Sequence, residues 1–427
     1  MLSLVKNSQP ANLKQVVAGT MFFLALGAAM FASPAYAGKK EKGKAKTEAV
    51  EEAPVKPPVD TTKLVWPSPP EVVRIRWMSQ MTGEADVKPP VKQEKKKAGW
   101  MDKMAGVQMP ANAHKRSPML GKPFGVVADS KGRIYTADLA QGVVFVFDTE
   151  KKEVQYIGDK PPIQFGLPMG LAIDDTDRLF VVDSRLHQVT AIGADGKLEN
   201  VFGQDKLQRP VGAAVDDENR LLYVVDAKAS RIAVFDADTC NFIRYVGKPS
   251  DPMDPQDGTL STPLDAAVDL DGNLYVTDTL NDRVQVFDAD GEFINMFGKQ
   301  GDSPGSFMRA KGIAVDADRH VYVTDAEFNN VQVFDKEGHF VASFGQKGDD
   351  PGQFTLITGI YVDKKNRILV ADQWHGRVQV MRYITDSEAA PEVAKRKLVT
   401  DAEAASTEAA STTNASPVRT TDSTPKK

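Results

Sequence analysis

An all-β ring of six four-stranded antiparallel blades is the fold this chain predicts, on three observations. The phrase Tyr275-Val276-Thr277-Asp278, followed by Arg283-Val284-Gln285-Val286-Phe287-Asp288, recurs in close copies whose closing aspartates are Asp138, Asp183, Asp226, Asp278, Asp325 and Asp372, at intervals of 45, 43, 52, 47 and 47 residues. Each repeat holds four short β-branched or aromatic segments, clearest at 265–269, 274–278, 283–287 and 293–297. The last repeat runs into the C-terminal tail after three segments, and a matching fourth lies far upstream, at 72–83.

At the amino terminus, Lys6 and Lys14 precede an apolar run from Val16 to Ala32, and Ala35-Tyr36-Ala37 ends in a small-x-small pattern. This is the pattern of a secretory signal peptide over 1–37, cut after Ala37, which predicts a periplasmic or secreted protein with no membrane span once it is removed. Residues 38–63 are Lys, Glu, Pro and Ala with no apolar period, a composition that cannot offset its ordering entropy and predicts a flexible linker.

The folded domain is expected over 64–385. Val72 to Gly83 resembles fourth strands elsewhere, such as Phe340-Val341-Ala342-Ser343-Phe344-Gly345, and is predicted to complete blade six, tie the two ends of the domain together and cover an open edge. An insertion at 84–117 carries a basic run from Lys92 to Lys97 and the spacing of a short amphipathic helix over Trp100 to Val107. Residues 118–384 hold the six repeats. Their turns, Leu270-Asp271-Gly272-Asn273 and Asp288-Ala289-Asp290-Gly291 among them, have the Asp-Gly chemistry of tight hairpins. A four-stranded unit of this size cannot bury both faces alone, so the repeats must stack around an axis. The tail, 386–427, is rich in Ala, Thr and Ser and is expected to be disordered, with a weak helical pattern over Val393 to Ala405.

Tyr-Val-x-Asp, the Asn and Arg that follow it, and Val-Gln-Val-Phe together resemble the NHL repeat, over about Pro118 to Ile384. The resemblance implies a six-bladed β-propeller and a ligand-binding face where the loops entering the innermost strands meet those following the repeat aspartates. Fold likeness leaves the function open.

Several function classes are excluded or disfavoured. A formal net charge of −5 argues against nucleic acid as partner. Cys240 is the sole cysteine, which removes intrachain disulfides, thiolate zinc clusters and attached c-type haem; it falls in a strand-like stretch and is expected to be a structural thiol. Some six-bladed enzymes resembling this fold, the peptidyl-hydroxyglycine amidating lyases, place histidines around an axial zinc. His114, His187, His320, His339 and His375 share no repeat position, so no metal site and no cofactor is expected.

The six repeat aspartates are expected to brace turns by accepting backbone N–H groups and pairing with Arg231, Arg283 and Arg377. Function is sought where the copies disagree. At the start of the inner strand five blades carry a glycine, Gly125, Gly170, Gly212, Gly312 and Gly359, and one carries Asp265, beside Lys311 of the next blade. Asp265 and Lys311 are either a self-satisfying pair or a polar anchor for a ligand. On the same face, Arg185, Phe328, Trp374 and His375 are candidate contacts, because aromatic and Arg side chains on rigid loops suit protein or glycan recognition. The expected protein is a monomeric, non-enzymatic scaffold holding a protein, peptide or glycan partner in the cell envelope. The alternative is a metal-dependent lyase or lactonase with its site in the central channel.

Overall fold

The computed structural model describes residues 59–69, 71–87 and 117–397. The apolar run before Ala37, the linker up to residue 58, the basic run from Lys92 to Lys97, the expected helix at Trp100 to Val107 and the tail beyond residue 397 lie outside them.

Six antiparallel sheets form the blades, the first five each laid down as a meander from the axis outwards and the sixth taking its outer strands from upstream. Blade four shows the pattern: Pro263–Val268 innermost, then Leu274–Asp278, Arg283–Phe287 and Phe293–Phe297. The inner strands of the other blades are Pro123–Ala128, Pro168–Ile173, Pro210–Asp216, Ala310–Val315 and Ile357–Val362. Second and third strands are buried almost throughout, whereas outer strands alternate in the manner of a half-covered edge, as Phe293–Phe297 and Phe340–Phe344 do.

The core is divided among the gaps between blades. Blades one and two share Val127, Tyr135, Leu171 and Leu179. Blades two and three share Phe180, Phe202, Leu222 and Phe235. Tyr223, Val246, Ala266 and Leu274 lie between blades three and four, and Tyr275, Phe297, Ile313 and Phe334 between four and five. The ring continues through Tyr322, Phe344, Ile360 and Ile368 and closes through Leu369, Val378, Val126 and Phe145. Each blade therefore depends on both neighbours, and burying one such aromatic contributes roughly 2–3 kcal/mol.

Closure follows the expected route. Ile75–Met81 pairs antiparallel with Arg377–Tyr383, Ile75 opposite Tyr383 and Met81 opposite Val378. Trp77 Nε1 donates to Gln379 Oε1 at 2.9 Å, and Arg377 Nη1 to Gln80 Oε1 at 3.2 Å. The sequence pattern did not predict the next layer: Val65–Trp66 pairs outside this strand as a fifth, and Trp66 rests 5.9 Å from the Phe344 ring of blade five. The last blade thus has a covered edge.

Two expectations need correction. Residues 386–397 are helical rather than disordered; Asp386 accepts from Arg74 Nη1 at 2.5 Å and Arg396 Nη2 donates to the Glu71 carbonyl at 2.5 Å, so the helix is held to the closing segment by contacts its own composition does not reveal. Cys240 lies in the turn after Arg231–Asp236, in the left-handed region at φ 61°, not in a strand.

Candidate functional site

Two rings of carboxylates brace the propeller. Asp138, Asp183, Asp226, Asp278, Asp325 and Asp372 are all fully buried. Each reaches across to the loop that enters its own blade: Gly121 N, Gly166 N, Gln208 N, Ser261 N, Met308 N and Thr355 N donate to them in turn, at 2.5–3.1 Å. Asp278 and Asp372 also take Arg283 Nε and Arg377 Nε at 2.9 Å. Arg231, expected to pair with Asp226, instead lies over the Tyr245 ring at 3.5 Å, since an aromatic face is available there. The second ring, missed in the sequence, is Asp129, Asp174, Asp216, Asp269, Asp316 and Asp363, which accept backbone N–H groups and so cap the turns at the opposite end. Asp269, for example, accepts from Asp271 N, Asn273 N and Tyr275 Oη. Its signal, an aspartate closing every first strand, was visible at the same period.

Between these rings the inner strands come close together. A Cβ on Gly125 would stand 2.4 Å from the Met169 carbonyl, on Gly312 2.5 Å from the Thr358 carbonyl, and on Gly359 2.4 Å from the Phe124 carbonyl. Glycine is needed there for backbone approach. Each inner strand or its partner shifts register near this level, as at Pro263/Ala266 and Ala310/Ile313, which leaves N–H groups free of the ladder.

Asp265 puts a carboxylate into this throat. Oδ2 accepts from Ile313 N of blade five at 3.3 Å, and a Cβ on Gly212 of blade three would lie 2.6 Å from Oδ1. Lys311 does not pair with it. The sequence placed the two side by side, but Lys311 stands one position before the glycine level and so projects to the other side of the pleat. Burial, with Arg309 nearby, lowers the Lys311 ammonium to about 8, and burial pushes the Asp265 carboxyl up to about 7 against the pull of the Ala266 and Ile313 N–H groups. Asp265 lines an axial cavity of about 250 Å³ that runs from the glycine level to turn residues Asp217, Leu270 and Lys364 at the far end; Lys311 is not part of its wall.

The recognition candidates sit on the loops after the repeat aspartates, as expected. Trp374 is 72% exposed, Arg185 is exposed and Phe328 is half-buried. Trp374 and Phe328 belong to adjacent blades six and five, whereas Arg185, on blade two, lies across the ring from Phe328. His375 is largely engaged within the fold: Nδ1 meets Asp372 Oδ2 at 2.8 Å and Nε2 meets Asp349 Oδ1 at 2.9 Å. Leu186, Leu280 and Met308, exposed on the same loops or on those entering the blades, extend this apolar surface beyond what spacing suggested.

The described histidines lie apart. His187 and His375 follow repeat aspartates, while His320 and His339 bond Asp316 and Asp335 in opposite-end turns, and none lines the cavity. Among the described residues, Asp335, Glu337 and His339 come close enough to share an ion, on an outer turn of blade five. Burial pushes the Cys240 thiol up, consistent with a structural role.

These features define a six-bladed β-propeller with an axial cavity and two structural carboxylate rings. Residues 252–326 and 316–389 match the DUF5128 family model, described as a 6-bladed beta-propeller. The repeats are similar to those of NHL repeat-containing protein 2 of Bos taurus, 27% identical over 161 residues, covering 31% of this chain and 22% of that protein. A stretch of 148 residues is 33% identical to peptidyl-glycine alpha-amidating monooxygenase B of Xenopus laevis, covering 32% of this chain and 17% of that one. The chain thus matches under a quarter of the length of either relative. A structural-genomics protein from Bacteroides thetaiotaomicron superposes with a TM-score of 0.51 at 18% identity, covering 63% of this chain and 71% of that chain, a likeness of fold alone.

Proposed function

We propose that this propeller is an exported, non-enzymatic scaffold that holds a protein, peptide or glycan partner in the cell envelope. The observation that carries the reading is Trp374: a large aromatic, 72% exposed, on a loop whose preceding Asp372 is fixed by Arg377 and His375. Rigidly presented aromatics give contact area at small entropic cost. Phe328 on the neighbouring blade extends the contact surface, and Arg185 supplies a charged point across the ring. Export rests on the N-terminal sequence: the basic residues, the apolar run and Ala35-Tyr36-Ala37. Among the described residues no helix is long and apolar enough to cross a membrane.

The lyase or lactonase alternative requires metal ligands converging in the channel, and none of the described histidines lines it. A photo-crosslinking residue at position 374, compared with one at the exposed outer-strand position 294, tests the proposal in envelope preparations. A discrete adduct at 374 and none at 294 is expected; equal labelling at both positions refutes it.

A further inference from the structure

Asp265 is an unusual residue for its place. Five blades close the throat with glycine, so the fold does not require a side chain there. A carboxylate offers about four acceptor sites, and here backbone N–H groups alone approach it, Ile313 N at 3.3 Å from Oδ2 and the neighbouring Ala266 N–H. Among the described residues no cationic side chain pairs with it. Its neighbourhood supplies backbone N–H groups and desolvation, and no charge.

Beside Asp265 the cavity wall is aliphatic, with Val126, Leu171, Ala214, Ala267, Ile313 and Ile360, and it turns polar at the far end, where Asp269, Asp316 and Asp363 join it. Its far end opens among the turns 129–133, 174–178, 216–220, 269–273, 316–320 and 363–367, which carry twelve carboxylates against eight Lys and Arg. A narrow channel with an acidic rim concentrates cations. A metal ion needs several converging ligands, and the described group of three that could supply them stands on the outer turn of blade five. A primary ammonium needs one carboxylate and a few carbonyls, and the attached alkyl chain suits aliphatic walls.

We propose that the axial cavity binds an aliphatic primary ammonium, its charged end on the Asp265 carboxylate and its alkyl chain along the Val, Ile, Leu and Ala wall. The site is separate from the Trp374 surface, so either assignment can fail alone. Two sources share this chemistry, a free alkylamine and the side chain of a peptide lysine.

Isothermal titration at pH 8 with n-hexylamine, Nα-acetyl-lysine methylamide and hexanoate tests it on the wild type, Asp265→Asn and Asp265→Gly. Asp265→Gly installs the residue of the other five blades and keeps the throat closed; Asp265→Asn keeps the shape and removes the charge, and a thermal melt confirms that each is folded. The wild type is expected to bind hexylamine and not hexanoate, and both variants to bind it about tenfold or more weakly, as loss of a charge-assisted bond implies. Binding of the lysine derivative as well assigns the site to peptide lysines, and binding of hexylamine alone to free amines. Failure of the wild type to bind either amine, or equal binding by the variants, overturns the proposal.

Discussion

Asp278 and Asp265 stand thirteen residues apart in one blade, on adjacent strands, and their circumstances are opposite. Asp278 is buried and saturated: Ser261 N, Asn281 Nδ2, Arg283 Nε and Gln285 Nε2 all donate to it. Asp265 faces a cavity, receives backbone N–H groups of Ile313 and Ala266, and has no cation beside it among the described residues. The repeated carboxylate replaces its lost hydration with fixed donors, so its cost is offset wherever the repeat recurs. The odd carboxylate is not compensated in this way. Regularity around the ring marks structure, and the exception marks a place where the fold accepts a cost it does not need.

That contrast can be broken from either side. Asp278→Ala should have the largest effect, a loss of about 3–5 kcal/mol, because it strands the buried Arg283 guanidinium without its carboxylate; denaturant unfolding would show it, and a loss below about 1 kcal/mol would mean the ring is decorative. Asp265→Asn should act through pH. The folded carboxyl is raised to about 7 from 3.8, so between those values the folded state holds a proton that the unfolded chain has released. Wild-type stability from this group is therefore greatest at low pH and is lost as pH rises from about 4 to about 7. Partial access to the channel discounts the full shift, and about 2 kcal/mol is expected. The variant should lack that slope in melts across the range.

Arg231→Ala should cost only about 1 kcal/mol, since Arg231 stacks on Tyr245 rather than neutralising a buried aspartate. A loss as large as that of Asp278→Ala would show that the stacked arginine does the same work as the paired ones. The smallest effect on stability is expected for Trp374→Ala, within about 0.5 kcal/mol, with loss of partner adducts formed from a crosslinker placed instead at position 328.

The blades were legible because hydrophobic period and turn chemistry recur six times, and closure was legible because one blade lacked a strand that 72–83 could supply. Val65–Trp66 was not, since two residues carry no period and Trp66 is placed by contact with blade five. Helix 386–397 was obscured by an Ala-rich composition, its anchors to Arg74 and Glu71 being more than 300 residues away in sequence. Around the site, the oddness of Asp265 was visible and its lack of a partner was not. Sequence places Lys311 next to it, and only strand pleating decides on which side of the throat each side chain falls. His375 shows the converse: an exposed-loop position by spacing, it is occupied by Asp372 and Asp349 on both nitrogens.

Ammonium binding in the cavity requires Asp265 to be a carboxylate held without a counter-charge. Carbon-detected NMR titration of the aspartate carboxyl groups, with the Asp265 signal assigned by its absence in Asp265→Asn, measures this directly. A midpoint near 7 is predicted from its burial in the throat; a midpoint near 4, the range of an ordinary solvated carboxylate, would contradict it.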